Sequence, residues 1–361
     1  MAYRFILTET IPDGVHRIAN EQVQGALDRL DHLAGFDPKT VEDAVHDVRK
    51  RCKKLRGLLR LVRPAIPDAY PRANAAFRDA ALQLSPIRDA HALLATFDCL
   101  VAAHTDQLPC DGISEVREGL AARARSATLA VADQKARVGR ARDLLVEGKS
   151  HIEGASFDDD FSPLSAGLVK TYKQGRNRFE DSTEQPCDEA LHEWRKRVKY
   201  SWYHARLLRD SAPSMIKPLV GALHHLGDAL GDDHDLAVLT GQLRSSPDEF
   251  GGTASVSWAL VIVDDSRADL QRRATQAGAR LYVERPRAFG DRMSGYWKSW
   301  RVFGEELPVG AISDLSGPDD SLDRLTKEQL YRKARQLDLA GRSSMDRREL
   351  VAAVRAAGGG C

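Results

Sequence analysis

VHDVRKRCKKLRGLLRLVRP at 45–64 and LHEWRKRVKYSWYHARLLRD at 191–210 are one pattern written twice. With His46 set against His192, the cations Arg49, Lys50, Arg51 and Lys53 fall on Arg195, Lys196, Arg197 and Lys199. The apolar positions coincide as well. Val45, Val48, Cys52, Leu55, Leu59 and Val62 match Leu191, Trp194, Val198, Ser201, Ala205 and Leu208. Spacing by threes and fours is the stripe of an amphipathic helix against a core. An internal repeat of this length predicts an architecture of two related halves.

Around these stretches the chain reads as helix. It has 361 residues, 42% hydrophobic and 29% charged, the balance of a soluble globular protein with two or three domain-sized units. No apolar run approaches the roughly 20 residues of a membrane span, and MAYRFILTETIPDG has no signal-peptide pattern. Five scattered cysteines (52, 99, 110, 187 and 361) without metal-ligand spacing fit reduced thiols, so a cytoplasmic location is expected.

Helices are predicted over 15–33, the first basic stretch, 70–84, from Pro86 to about 105, and 113–147, the last as one helix or two. After an acidic, turn-prone loop at 154–163 the pattern restarts with helices over 164–179, the second basic stretch, 213–230, 232–243, and a long helix or pair over 256–303 broken near Pro286. Residues 1–10 read as a strand or extended arm and 11–14 as a turn. The expected fold is all-α: two copies of a helical unit of about 150 residues, with halves at about 11–150 and 163–305. A linker over 306–321 and a small helical module over 322–357 follow.

Net charge is only +1, yet 46–64 carries eight Lys/Arg against one acid and 192–210 six against two. On a helical wheel His46, Arg49, Lys50, Lys53, Arg56 and Arg60 share a sector of about 120°, as do His192, Arg195, Lys196, Lys199 and Arg206. Like charges at these spacings repel, so a stripe of one sign over four turns calls for an anion. The plainer reading is a solvated face, or one matched by Asp89, Asp232, Asp233 and Asp235. Recurrence in the same phase argues instead for two walls of one groove, which would focus potential on a flexible polyanion. Arg grips phosphate oxygens bidentately and Lys acts as a mobile point charge. The first stripe has no aromatic on which a nucleobase could stack, which favours inorganic polyphosphate over nucleic acid.

At these residues the chain resembles the CHAD family of histidine-containing α-helical domains, over roughly 11–305. The matching positions are His46, Arg49, Lys53, Lys54 and Arg56, then His192, Arg195, Lys196 and Lys199, with RDAH at 88–91 and DDHD at 232–235 as the acid-containing motif. The resemblance implies two four-helix bundles related by a pseudo-twofold, a basic central groove that binds inorganic polyphosphate, and association with polyphosphate granules as in some members. Trp202 departs from it, standing where an Arg would match Arg56; the halves are therefore expected to grip unequally. Asp89 and Asp233 are read as acids that orient the basic-helix cations. The motifs hold no HxxxH or HxH pair, no nucleophile with its base and no Gly-rich phosphate loop, so neither a metal, a cofactor nor catalysis is expected. Two other readings stand: a metal-dependent (poly)phosphate hydrolase, and a nucleic-acid-binding protein using both basic regions.

Residues 322–357 resemble the Rho N-terminal (SAP-like) module through LTKEQLYRKARQLDLAGRSSMDRRELVAAVR, with Thr326 and Gln329 at capping-box spacing. The resemblance implies phosphate contacts from Lys327, Arg332, Lys333, Arg335, Arg342, Arg347 and Arg348. A partner-docking bundle is the competing reading.

Overall fold

The structure is a computed structural model that describes residues 3–31, 38–104, 110–129, 131–305, 322, 325–336, 339 and 345–358. Within these ranges side chains are described except at 38–39, 86–91, 110–111, 127–129, 131–134, 336 and 356–358. The chain divides into two compact units, Met1–Glu305 and Glu306–Cys361.

The first unit is all-α among its described residues. Its helices are α1 (Ile11–Asp31), α2 (Pro38–Val62), α3 (Ala69–Gln83), α4 (Ser85–Ala103), α5 (Cys110–Leu129) and α6 (Val131–Glu153). The second half follows with α7 (Ser162–Glu184), α8 (Asp188–Leu208), α9 (Pro213–Ser245), α10 (Gly252–Leu281) and α11 (Pro286–Phe303). α1, α2, α3 and α6 pack as one four-helix set; α7, α8, α9 and α11 pack as another. One continuous core runs through both sets. The repeated stripe faces it as its spacing predicts: Val45, Val48, Cys52, Leu55, Leu59 and Val62 are fully buried, and so are all their counterparts except half-buried Ser201.

A second core joins α4, α5, the C-terminal part of α9 and the N-terminal part of α10 around Phe97, Leu120, Leu239 and Phe250. The halves differ in how they reach it. The first half uses two short helices, broken at Leu84 ahead of Pro86; the second uses one unbroken helix of 33 residues. The expected break near residue 231 is therefore absent. No proline interrupts that stretch, and buried Leu230 and Leu236 carry the apolar face from one core into the other.

Residues 3–10 of the N-terminal arm, those the structure describes, form no strand. Tyr3 and Phe5 are buried, and Phe5 donates its backbone N–H to the Leu207 carbonyl at 3.0 Å. α1 begins at Ile11, four residues before the expected start. Thr10 Oγ1 accepts the Asp13 N–H at 3.2 Å and caps the helix, and Gly14 is there for close approach to Phe5.

α2 and α8 cross at positions that correspond in the repeat. Gly57 lies against Tyr203, its own counterpart; a Cβ on Gly57 would stand 2.8 Å from Tyr203 Cβ. One turn on, the Arg60 guanidinium lies 3.8 Å from the Tyr200 ring centre. Exchanging the repeats turns that pair into Arg206 and Lys54, whose charges do interact: burial first, then Arg206, lowers the Lys54 ammonium to about 8. Reciprocal contacts about one point are the mark of a local twofold. His204 Nε2 donates to the Gly57 carbonyl at 3.0 Å and ties the crossing together.

In the second unit α12 (Lys327–Gln336) packs on α13 (Arg347–Gly358) around buried Leu330, Ala334, Leu350 and Val354. The Thr326 box forms reciprocally, with Gln329 Oε1 accepting from Thr326 N–H at 2.9 Å and Thr326 Oγ1 from Gln329 N–H at 3.3 Å. A second box, between Asp346 and Glu349, opens α13.

Candidate polyanion-binding groove

N-terminal to the crossing, α2 and α8 become facing walls of a cavity of about 1590 Å3 that opens to solvent. Arg49 and Lys53 line it from α2; His192 and Arg195 line it from α8. α5 adds Arg123, and α9 adds His234, Asp235 and Gln242. Ala92, Leu93 and Thr96 of α4, with Leu120 and Val238, complete a partly apolar wall. Four permanent cations thus face one carboxylate, Asp235, and no Phe, Tyr or Trp ring lines the cavity among the described residues. Charge of one sign beside low-dielectric wall strengthens the field an entering anion meets.

The two arginines that match in the repeat are held differently. Arg49 donates from Nη1 to Ser85 Oγ and, at 3.3 Å, to the Ala81 carbonyl, so it binds the broken end of α3. Arg195 lies along Gly231 of α9, where a Cβ would come 3.6 Å from its Nε. Its Nε is buried without a hydrogen-bond partner, and Arg195 forms no ion pair among the described residues. Arg123 reaches Gln242 and Glu249 and stacks 4.9 Å over Phe250.

His192 and His234 face one another, Nδ1 to Nδ1 at 3.2 Å with ring centres 4.3 Å apart. Burial, then Lys196 and Arg195, holds His192 below the ordinary imidazole range. Burial, then Arg195 and His192, lowers His234 to about 4. At one edge the cavity shares Ala92, Thr96 and Asp235 with a second opening lined by Asp232, Asp265 and Asp269, where the positive field ends. Burial, with Asp228 and Asp235 beyond it, raises the Asp232 carboxyl.

Of the twelve residues read as polyphosphate contacts, four line the cavity: Arg49, Lys53, His192 and Arg195. His46 and Lys50 are exposed on α2 outside the lining. Arg56 and Arg60 donate instead to Asn74 Oδ1 at 3.3 and 3.0 Å, and Lys54 and Arg206 stack on Tyr3 at the crossing. Lys196 pairs with Glu193 and Lys199 with Asp228. The helices meet at Gly57, so the later turns of each stripe enter the crossing and leave the groove. Asp233, read as orienting a basic-helix cation, is 2% exposed and accepts from Arg267 Nε at 3.0 Å and Gln271 Nε2 at 2.8 Å, both on α10. Trp202 lies outside the lining and carries Arg206 at 4.6 Å.

Arg123 and Gln242 were missed because they sit singly on helices without a charged stripe, whereas His234 belongs to the DDHD motif at 232–235. The side chains of Asp89, His91 and Arg342 lie outside the described residues. The other basic side chains read as contacts in the second unit, Lys327, Arg332, Lys333, Arg335, Arg347 and Arg348, are exposed on α12 and α13.

The family model for the CHAD domain matches residues 24–244, more than half of the chain. The chain belongs to the CHAD domain family. The matched span starts inside α1 and stops at the end of α9, shorter at both ends than the resemblance over 11–305. A crystal structure of the CHAD domain from the plant Ricinus communis is similar at 17% identity, covering 85% of this chain and 98% of that one with a TM-score of 0.47. A comparison with curated proteins found no match. Among the described residues no group of three or more His, Cys, Asp or Glu could hold a metal ion, and no helix is long and apolar enough to cross a membrane.

Proposed function

We propose that this CHAD protein binds inorganic polyphosphate in the groove between α2 and α8, without turning it over. The observation that carries the reading is the meeting of the equivalent arginines of both repeats, Arg49 and Arg195, with Lys53 beside them in one cavity. Membership of a family linked to polyphosphate supports it. The absence of Phe, Tyr and Trp from the described lining supports a ligand with no base to stack. Retention on polyphosphate granules belongs to the same reading, and the exposed cations of α12 and α13 are offered to nucleic acid.

The test is a polyphosphate titration of the full chain at two ionic strengths, repeated with Arg49→Glu/Arg195→Glu. Affinity should fall steeply with salt, because neutralised phosphates release counterions. The double reversal should abolish binding with helicity retained. Binding that ignores salt, or survives the reversal, overturns the groove as the site.

A further inference from the structure

The His192–His234 pair lies in the groove but is not needed for a simple basic channel. With 3.2 Å between the Nδ1 atoms, one ring donates an N–H to the other and both Nδ1 positions are spent. Each ring has only Nε2 left for a ligand. In the neutral pair, the ring that donates through Nδ1 is the tautomer whose Nε2 carries a bare lone pair, which repels a phosphate oxygen. One added proton turns that nitrogen into a donor and adds a positive charge beside Arg195.

We propose that His192 and His234 form a proton-gated phosphate contact, so that the protein takes up a proton when the polyanion enters and grips it harder as pH falls. This rests on the polyphosphate reading above. The surroundings keep the empty pair neutral. Facing it are Glu189, Glu193, Arg195 and Lys196 on α8, Asp233 and Asp235 on α9, Arg49 and Lys53 on α2, and Arg123 on α5. α4 contributes Ala92, Leu93 and Thr96 among its described side chains. Asp233 is already engaged by Arg267 of α10, and Glu193 by Lys196, so cations dominate.

An entering phosphate reverses that sign and raises the pair's affinity for a proton. Linkage then requires affinity to climb as pH drops below the occupied pair's pKa. The gain is about tenfold per pH unit for one proton, and it ends at the empty pair's own pKa.

The experiment is calorimetric titration of the whole protein with long-chain sodium polyphosphate, between about pH 8 and pH 5, in buffers of different ionisation enthalpy. Wild type should take up more protons per site than His192→Asn or His234→Asn, and its affinity should rise more steeply with acid. Equal uptake and equal slopes in all three proteins overturn the gate while leaving the polyphosphate reading intact. No binding by wild type at any pH removes both. Wild-type imidazole proton NMR gives a second readout free of variants: two histidine midpoints should move upward when polyphosphate is added, and unmoved midpoints overturn the proposal.

Discussion

Gly57→Ala is the sharpest probe of the crossing that shapes the groove. A Cβ at this position would lie 2.8 Å from Tyr203 Cβ and 3.1 Å from Tyr203 Cγ and Cδ2. The ring is buried and Gly57 is mid-helix, so neither side can withdraw cheaply. Overpacking of this kind costs about 1–3 kcal/mol, against about 1 kcal/mol gained when alanine replaces a helical glycine. The substitution should therefore destabilise by up to about 2 kcal/mol. In a Tyr203→Gly background, which removes the Cβ as well as the ring, the obstruction is gone, and Gly57→Ala should instead stabilise by about 1 kcal/mol. The coupling in a double-mutant cycle is then about 1–3 kcal/mol. Urea unfolding of the full chain followed by tryptophan fluorescence can read it, because all five tryptophans lie within Met1–Glu305. A coupling below about 0.5 kcal/mol would show that the helices do not cross here.

Other glycines separate close approach from simple propensity. Gly167→Ala puts a Cβ 2.0 Å from the Leu61 carbonyl oxygen and should cost more than about 3 kcal/mol, whereas Gly241→Ala meets nothing within 4 Å and should gain about 1 kcal/mol in the same unfolding assay. His204, lowered to about 4 by burial, should lose stability on acidification. The unfolded imidazole takes the proton first, so the contribution is full above about pH 6.5 and falls by about 3 kcal/mol towards pH 4. His204→Gln should flatten that part of the stability–pH curve. Arg123→Ala should weaken polyphosphate binding and lower its salt dependence by about one counterion, read by titration at several salt concentrations. Asp233→Asn removes one of the two carboxylates that pair with Arg267, Asp188 being the other, and should destabilise by about 1–3 kcal/mol in urea unfolding.

The helices were legible because their apolar positions keep a period that only one helix face satisfies. All six apolar positions of the first stripe are buried as read. What the period could not show was where α2 and α8 touch. A wheel projects along the helix axis, so Lys53 above the crossing and Arg60 below it look equivalent, although one lines the groove and the other lies on Tyr200. Gly57 was the available signal, a residue without a side chain inside a charged sector. The continuity of α9 was hidden for a related reason. Gly227 and Gly231, before and at the expected break, are where the Lys199 side chain and the Arg195 guanidinium lie on the helix. Arg123 carried no local signal, because only the fold brings α5 to the same cavity as the basic helices.

The two walls use the same residue types and still differ in readiness. Arg49 binds the exposed end of α3 through Ala81 and Ser85, a partnership made possible by the helix break ahead of Pro86. Its counterpart meets an unbroken α9 that has no free carbonyls at that level, and glycine replaces them as a smooth track. Arg195 thereby reaches the cavity with no ion pair among the described residues. A phosphate approaching Arg49 must compete with the contacts it makes to Ala81 and Ser85, whereas one approaching Arg195 displaces no ion pair. The continuity of one helix thus makes α8 the stronger wall, and the histidine pair stands on that side.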